Sequence, residues 1–252
     1  MTQDSAFRAA ITEGLSGPAQ ALVLCEHASA EIPEEFKSLG LPPEARLSHV
    51  AWDPGALTLA RDMAGALHAP LVFGGVSRLL YDCNRPPEAA GAMPEKSEIH
   101  DIPGNRALSA AAREDRVARI YRPFCAAVDR AIEAARPAAL ITVHSFTPIY
   151  YGKPRAVEIG VLHDTDSRLA DALLNELSGS SYQVERNQPY GPADGVTHSL
   201  KQHAMTRGLA NVMLEVRNDL LADPDKAADI AALLSRALIV ALAEIGAAKG
   251  AA

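Results

Sequence analysis

Ala21-Leu-Val-Leu-Cys25 is an unbroken apolar run, closed by Glu26-His27. A strand with one wet face alternates polar and apolar residues. A continuous short run instead marks a strand covered on both faces, as in a parallel sheet with helices above and below. The residues that follow fit this. After Asp53-Pro54, the apolar positions Leu57, Ala60, Met63, Ala64 and Leu67 recur at helical spacing, which predicts a helix over residues 55–67. Asp53 stands where an N-cap would, with Pro54 at the first helical position. Leu71-Val-Phe73 is a second apolar run, stopped by Gly74-Gly75.

The pattern then continues. Residues 140–143, 157–162, 182–185 and 209–216 read as strands. Residues 109–136 (bent at Pro123), 167–177, 197–207 and 226–245 read as helices. Strands alternating with helices predict an α/β fold of three layers. Its sheet is mixed but largely parallel, with helices on both faces. One domain is expected over residues 1–252, with its core at about 20–245. Residues 76–106 hold Pro86, Pro87, Pro94, Pro103, Gly91 and Gly104 and show no periodicity. So long a loop in a folded domain is usually functional or mobile. Residues 246–252 read as a frayed tail.

Composition limits the function classes. The chain has 252 residues, 48% hydrophobic and 22% charged, the balance of a globular enzyme. Its net charge of −7 argues against nucleic acid as a main partner. Cys25, Cys83 and Cys125 form no CxxC pair and are odd in number, so reduced thiols in the cytoplasm are expected. Residues 1–10 lack a basic stretch followed by an apolar one, and no leader is expected. The most apolar segment, residues 231–243, contains Ser235 and Arg236 and reads as an amphipathic helix rather than a membrane span.

In parallel α/β folds, ligand chemistry gathers beyond the carboxyl ends of the strands. His27 lies two residues past the first strand, and His144 follows the run Ile141-Thr-Val143 directly. Glu215 closes another strand, and Asp53 opens a helix. Two imidazoles and a carboxylate, with one position left for water, make a catalytic zinc set. A second carboxylate outside that set can carry the proton. His27, Asp53 and His144 are therefore the candidate metal ligands, and Glu215 the candidate acid/base. Each has an ordinary alternative. Asp53 alone is an N-cap, Glu215 could pair with Arg217, and no HExxH motif is present.

A basic cluster follows in Ser77-Arg-Leu-Leu-Tyr-Asp-Cys-Asn-Arg85. Arg78, Asn84 and Arg85, with Arg217 two residues after Glu215 and so on the same strand face, could hold an anion, because guanidinium forks bind carboxylates. The alternative is a structural salt-bridge net around Asp82. His198 and His203 do not share a helix face, and His203 alone could approach as a substrate contact or proton shuttle. His49, His68, His100 and His163 read as surface or loop residues. Cys25 reads as a small buried hydrophobe rather than a nucleophile, and no GxSxG elbow surrounds Ser29 or Ser145.

Taken together, Cys25-Glu-His-Ala-Ser29, Trp52-Asp-Pro-Gly-Ala56, Ser77-Arg-Leu through Asp82-Cys-Asn-Arg85, Val143-His-Ser145 and Leu214-Glu-Val-Arg-Asn-Asp-Leu220 resemble the N-formylglutamate amidohydrolase (deformylase) family. The resemblance covers about residues 20–245. It implies a phosphorylase/hydrolase-like α/β fold and zinc-dependent amide hydrolysis. The family's named activity converts N-formyl-L-glutamate to glutamate and formate, late in histidine breakdown. The order of parts is also similar to zinc-dependent N-acetylmuramoyl-alanine amidases, and that analogy again selects His27, Asp53, His144 and Glu215.

The expectation is thus a hydrolase with one divalent metal ion, Zn2+, acting on a small anionic N-acyl amino acid. The role foreseen for Arg78 is to stabilise the oxyanion, and that for Arg85, Asn84 and Arg217 is to hold carboxylates. No nucleic-acid or membrane partner is expected. Two other classes stay open: a peptidase or amidase of another N-acyl substrate, and a non-catalytic protein binding an acidic metabolite.

Overall fold

In the computed structural model, which describes residues 7–250, the apolar runs become strands of a seven-stranded sheet. In chain order these are β1 (Ala10–Glu13), β2 (Ala21–Cys25), β3 (Leu71–Gly74), β4 (Ala139–Phe146), β5 (Ile159–Leu162), β6 (Val184–Arg186) and β7 (Ala210–Arg217). Their order across the sheet is β1-β3-β2-β4-β7-β5-β6. The central four, β3, β2, β4 and β7, are mutually parallel. β1 runs antiparallel to β3, β5 antiparallel to β7, and β6 parallel to β5.

Successive residues of each strand face opposite layers. Val23, Cys25, Ile141, Val143, Val212 and Leu214 pack toward helices α1 (Ala56–Ala66), α4 (Arg168–Leu177) and α5 (Pro224–Gly250). Leu22, Leu24, Val72, Leu140 and Met213 face the other way. They pack with Phe124, Val128 and Ile132 of α3 (Arg122–Ala135) and with Leu79, Leu80 and Tyr81 of the long loop. The result is a three-layer α/β fold with a largely parallel mixed sheet. Burying one large apolar side chain is worth about 1.5–3 kcal/mol. A one-residue slip would turn both cores inside out, so the strand register is strongly specified.

Some elements differ from the sequence expectation. The helix expected over 109–136 is α2 (Ala110–Arg116), a π turn (Val117–Tyr121) and α3. Pro123 stands at the start of α3 and has no N–H to donate, so the widened turn sits where the bend was predicted. Residues 197–207 hold a π turn (Leu200–Ala204) and a 3-10 turn (Met205–Arg207) rather than a regular helix. β1 was not foreseen, because Ala10-Ile-Thr-Glu13 is short and only partly buried.

α5 is longer than predicted. By length and composition it is apolar enough to cross a membrane, with a mean hydropathy of 1.9. That corrects the shorter span inferred from Ser235 and Arg236. Here Ile230, Leu234, Leu238, Ala241 and Leu242 form a buried stripe at helical spacing, facing α1 and α4. The helix also takes in residues 246–250, expected to be frayed; residues 251–252 lie outside the described residues, as do residues 1–6 of the segment examined for a leader.

The loop over residues 76–106 is anchored rather than free. The buried Arg116 guanidinium donates to the Leu80 carbonyl at 3.1 Å and to Asn105 Oδ1 at 2.6 Å. Asn105 Nδ2 in turn donates to the carbonyls of Leu79 and Pro94, both at 2.8 Å.

Candidate active site

The carboxyl ends of β2, β4 and β7 lie side by side, and the chemistry collects there. Glu26 and His27 follow β2 directly, His144 lies near the end of β4, and Glu215 near the end of β7. The parallel β4–β7 ladder pairs Glu215 with His144. Asp53 comes in from the loop before α1. It is not the helix cap predicted from sequence: that position belongs to Gly55, at φ 83°, where an added Cβ would lie 2.5 Å from Leu221 Cβ. The Asp53 N–H donates to the His27 carbonyl at 2.9 Å, which fixes the backbone and aims the carboxylate inward.

Asp53 Oδ2 lies 2.8 Å from His144 Nδ1 and 3.3 Å from His27 Nδ1, and the two Nδ1 atoms are 3.2 Å apart. All three residues are buried. Three donors bound tetrahedrally to one zinc, with bonds of about 2.0–2.1 Å, stand about 3.3 Å apart. The set is thus spaced for one small cation. The far side of each ring also meets a carboxylate: His27 Nε2 is 2.7 Å from Asp82 Oδ1, and His144 Nε2 is 3.2 Å from Glu26 Oε2. At His27 this hydrogen-bonded carboxylate fixes the tautomer and turns Nδ1 toward a metal; at His144 the Glu26 contact is an ion pair without a hydrogen bond.

Charge balance leads to the same conclusion. Glu26, Asp53, Asp82 and Glu215 are buried carboxyls, whereas the guanidinium ion-paired within this cluster is that of Arg78, with Arg85 acting on Asp82 from farther off. Burial disfavours a charged His144, yet Glu26 and Asp53 outweigh it and hold its pKa well above the ordinary value. His27 is raised against burial and Arg78 by Asp82 and Asp53. Against their own burial, Asp53 is held down by His27 and His144, and Asp82 by Arg78 and His27. The buried carboxyls thus favour positive charge between the two rings. A divalent ion there would supply that charge while leaving both Nδ1 atoms free to bind it.

Glu215 behaves differently. Burial pushes its carboxyl up to about 7, although His144 pulls the other way, and its Oε2 is buried without a hydrogen-bond partner. An orphaned buried oxygen costs about 1–3 kcal/mol, and in a cleft it points to function rather than stability.

These groups open into a cavity of about 560 Å3. His27, Asp53, His144, Glu215, Arg78, Asn84 and Arg85 all line it. Arg78 is held by Asp82 Oδ2 at 2.7 Å and Asp53 Oδ1 at 3.4 Å. Asn84 is engaged with protein: its amide donates to the Val196 carbonyl, and its Oδ1 accepts from the Ser199 N–H at 2.9 Å. Arg85 donates to the Gly195 carbonyl.

Two of the residues proposed from sequence lie elsewhere. Arg217 bonds Asp219 at 2.8 Å and Glu158 at 3.4 Å, because the strand gives way to a helical turn there and Asp219 captures its guanidinium. His203 is buried against Asp129 at 3.2 Å and lies outside the cavity lining.

Sequence reasoning missed other groups. His49, taken for a loop or surface residue, lines the cavity and meets Glu98 at 2.8 Å. Arg155 and Tyr190 also line it, from loops without periodic signal. Glu26 and Asp82 carried a signal in the sequence: two candidate ligand histidines each need an acceptor for the second nitrogen. Cys25 packs in the apolar layer, where burial pushes its thiol well up. Ser145 Oγ is engaged with protein, donating to the Pro54 carbonyl at 2.7 Å.

A family model described as N-formylglutamate amidohydrolase matches residues 19–222. Among solved structures, a gene product of Agrobacterium tumefaciens is 50% identical, with a TM-score of 0.92 over 95% of this chain and 96% of that one. A bacteriophage poly-gamma-glutamate hydrolase is 10% identical, with a TM-score of 0.47 over 94% of this chain and 90% of that one. The CwlD amidase of Clostridioides difficile, solved with the GerS lipoprotein, is 9% identical, with a TM-score of 0.41 over 89% and 97%. No curated protein matches the chain.

Proposed function

The chain belongs to the N-formylglutamate amidohydrolase family, and from that premise we propose that it hydrolyses the N-formyl or a similar N-acyl amide of an acidic amino acid such as N-formyl-L-glutamate. His27, Asp53 and His144 would hold one divalent metal ion, with zinc the best match to two imidazoles and a carboxylate. The observation that carries this reading is the meeting of the two Nδ1 atoms and Asp53 Oδ2 beside an unpartnered Glu215.

When bound, such a cation supplies Lewis acidity for the scissile carbonyl and acidifies a water molecule. The remaining work falls to the chain's own side chains. Glu215 takes the proton of the attacking water as the new C–O bond forms. It then passes that proton to the amide nitrogen as the C–N bond breaks, releasing formate and the free amino acid. Burial, which raises this carboxyl, favours its taking up a proton in the first half of the cycle. Arg78, its fork already oriented by Asp53 and Asp82, stabilises negative charge growing on the carbonyl oxygen. Arg85 takes a substrate carboxylate, and Asn84 positions it by tying its loop to Val196 and Ser199. A cytoplasmic setting and a place in histidine breakdown go with this reading.

The test is elemental analysis of purified protein, followed by formate release from N-formyl-L-glutamate, N-formyl-leucine and N-acetyl-glutamate. About one metal per chain is expected, with turnover fastest on N-formyl-L-glutamate, lost to a chelator and restored by zinc. Metal-free protein that still binds N-formyl-L-glutamate without cleaving it would make it a binding protein instead. Equal rates on N-formyl-leucine would remove the acidic substrate from the proposal.

A further inference from the structure

We propose that Arg155 is a second carboxylate clamp of the cavity and works together with Arg85, so that the site selects a dicarboxylate. This rests on reading the cavity as an N-acyl amino acid site. Arg155 lies in the loop before β5 and lines the cavity. Its guanidinium sits 4.3 Å from the Tyr150 ring centre, 4.8 Å from Tyr190 and 5.6 Å from Phe146. Stacked rings hold a guanidinium by its faces and leave its in-plane N–H groups for a planar acceptor. Protein meets that edge with neutral acceptors: Nη1 makes a long 3.4 Å bond to the Thr147 carbonyl, and the Tyr190 hydroxyl also reaches the guanidinium.

No carboxylate lies within ion-pair distance of Arg155 among the described residues. The other cavity arginines differ. Asp53 and Asp82 neutralise Arg78, while Arg85 rests on the Gly195 carbonyl and makes no ion pair among the described residues, although Asp82 feels its charge. Two guanidiniums free of ion pairs in one cavity match two carboxylates on one ligand.

The cage also lies along β4 from the candidate metal set: Phe146 is two residues beyond His144 on the same strand face. Arg217, foreseen as a clamp, instead supports this one: its Nη1 donates to the Arg155 carbonyl at 3.2 Å.

The test compares wild type, Arg155→Gln and Arg155→Lys in two assays. In metal-free protein, calorimetry with glutarate as the probe should show binding weakened roughly 10- to 100-fold in Arg155→Gln. Arg155→Lys, which keeps the charge but not the fork, should fall between. In metal-loaded protein, KM for N-formyl-L-glutamate should rise by a similar factor while kcat changes little. The penalty should vanish for one of the two mono-amides of that substrate, which identifies the carboxylate held.

Unchanged glutarate binding, or an equal penalty on the diacid and both mono-amides, overturns the clamp. A wild type that cleaves none of these compounds overturns the proposed reaction. The glutarate isotherms then still decide Arg155.

Discussion

Glu215 and His144 are paired residues of two adjacent parallel strands, so the carboxylate with its unpartnered Oε2 stands in the next strand beside the His144 imidazole. The proposed ligand and the proposed proton carrier share one ladder and cannot drift apart without breaking the sheet.

This arrangement makes Glu215→Gln a clean probe. The amide keeps the shape, touches none of the three ligand atoms, and cannot take a proton. Metal content measured by elemental analysis should stay near wild type, while kcat falls roughly 10²- to 10⁴-fold. Near-normal kcat would remove Glu215 from its role, and loss of metal would make it a ligand.

The same carboxyl predicts a pH signature in the metal-free protein. Its value rises from the ordinary 4.5 to about 7 on burial. Between those two values the folded state binds more protons than the unfolded one, so this group costs stability as pH rises through the window and no more above it. Glutamine lacks that cost. Denaturant midpoints of the chelated proteins should therefore converge at pH 4.5 and separate by pH 8, with Glu215→Gln the more stable. A constant gap at both pH values would show that Glu215 is not held up by its surroundings.

Asp82 joins the metal set to Arg78: one oxygen meets His27 Nε2 at 2.7 Å and the other Arg78 Nη2 at 2.7 Å. Asp82→Asn should weaken metal affinity about 10- to 100-fold in competition with a chelator, since the His27 ring loses its charged anchor. With Arg78 released on one side, kcat/KM should stay depressed even at saturating metal. Full recovery with excess zinc would confine Asp82 to ligand orientation.

Much of this was legible in the sequence, for physical reasons. β2, β3, β4 and β7 are covered on both faces, so each carries a largely apolar run, interrupted in β4 and β7 by Thr142 and Asn211 and by the polar residues at their carboxyl ends. Their carboxyl ends are where a parallel sheet puts its chemistry, so His27, His144 and Glu215 could be picked from position alone. Asp53 came out as a ligand candidate and also, mistakenly, as a cap. The local pattern of Asp-Pro before a helix cannot show that Gly55 takes the cap position instead. Arg217 shares a strand face with Glu215 by periodicity, but Asp219, two residues on, draws its side chain aside. Arg155 left no trace, because its cage is assembled from Phe146, Tyr150 and Tyr190 in segments that only the fold brings together.

Gly160 shows how that cage depends on a residue with no side chain. It pairs with Glu215 across the β5–β7 ladder, and a Cβ there would lie 2.0 Å from the Gln188 carbonyl oxygen. The obstacle is backbone, so Gly160→Ala has to push residues 188–190 outward. Pro189 and Tyr190 line the cavity, and Tyr190 is one wall of the Arg155 cage. The metal ligands sit on other elements, so metal content should hold while KM for N-formyl-L-glutamate rises. Overpacking of this kind costs about 1–3 kcal/mol, which lowers Tm by several degrees in a chain of this length. Gly179→Ala, with nothing within 4 Å of the added carbon, should change neither KM nor the thermal midpoint by a comparable amount. If Gly160→Ala behaves like Gly179→Ala, the loop carrying Tyr190 does not rest on this strand, and the wall it gives to the cavity must be held by something other than the close approach seen at Gly160.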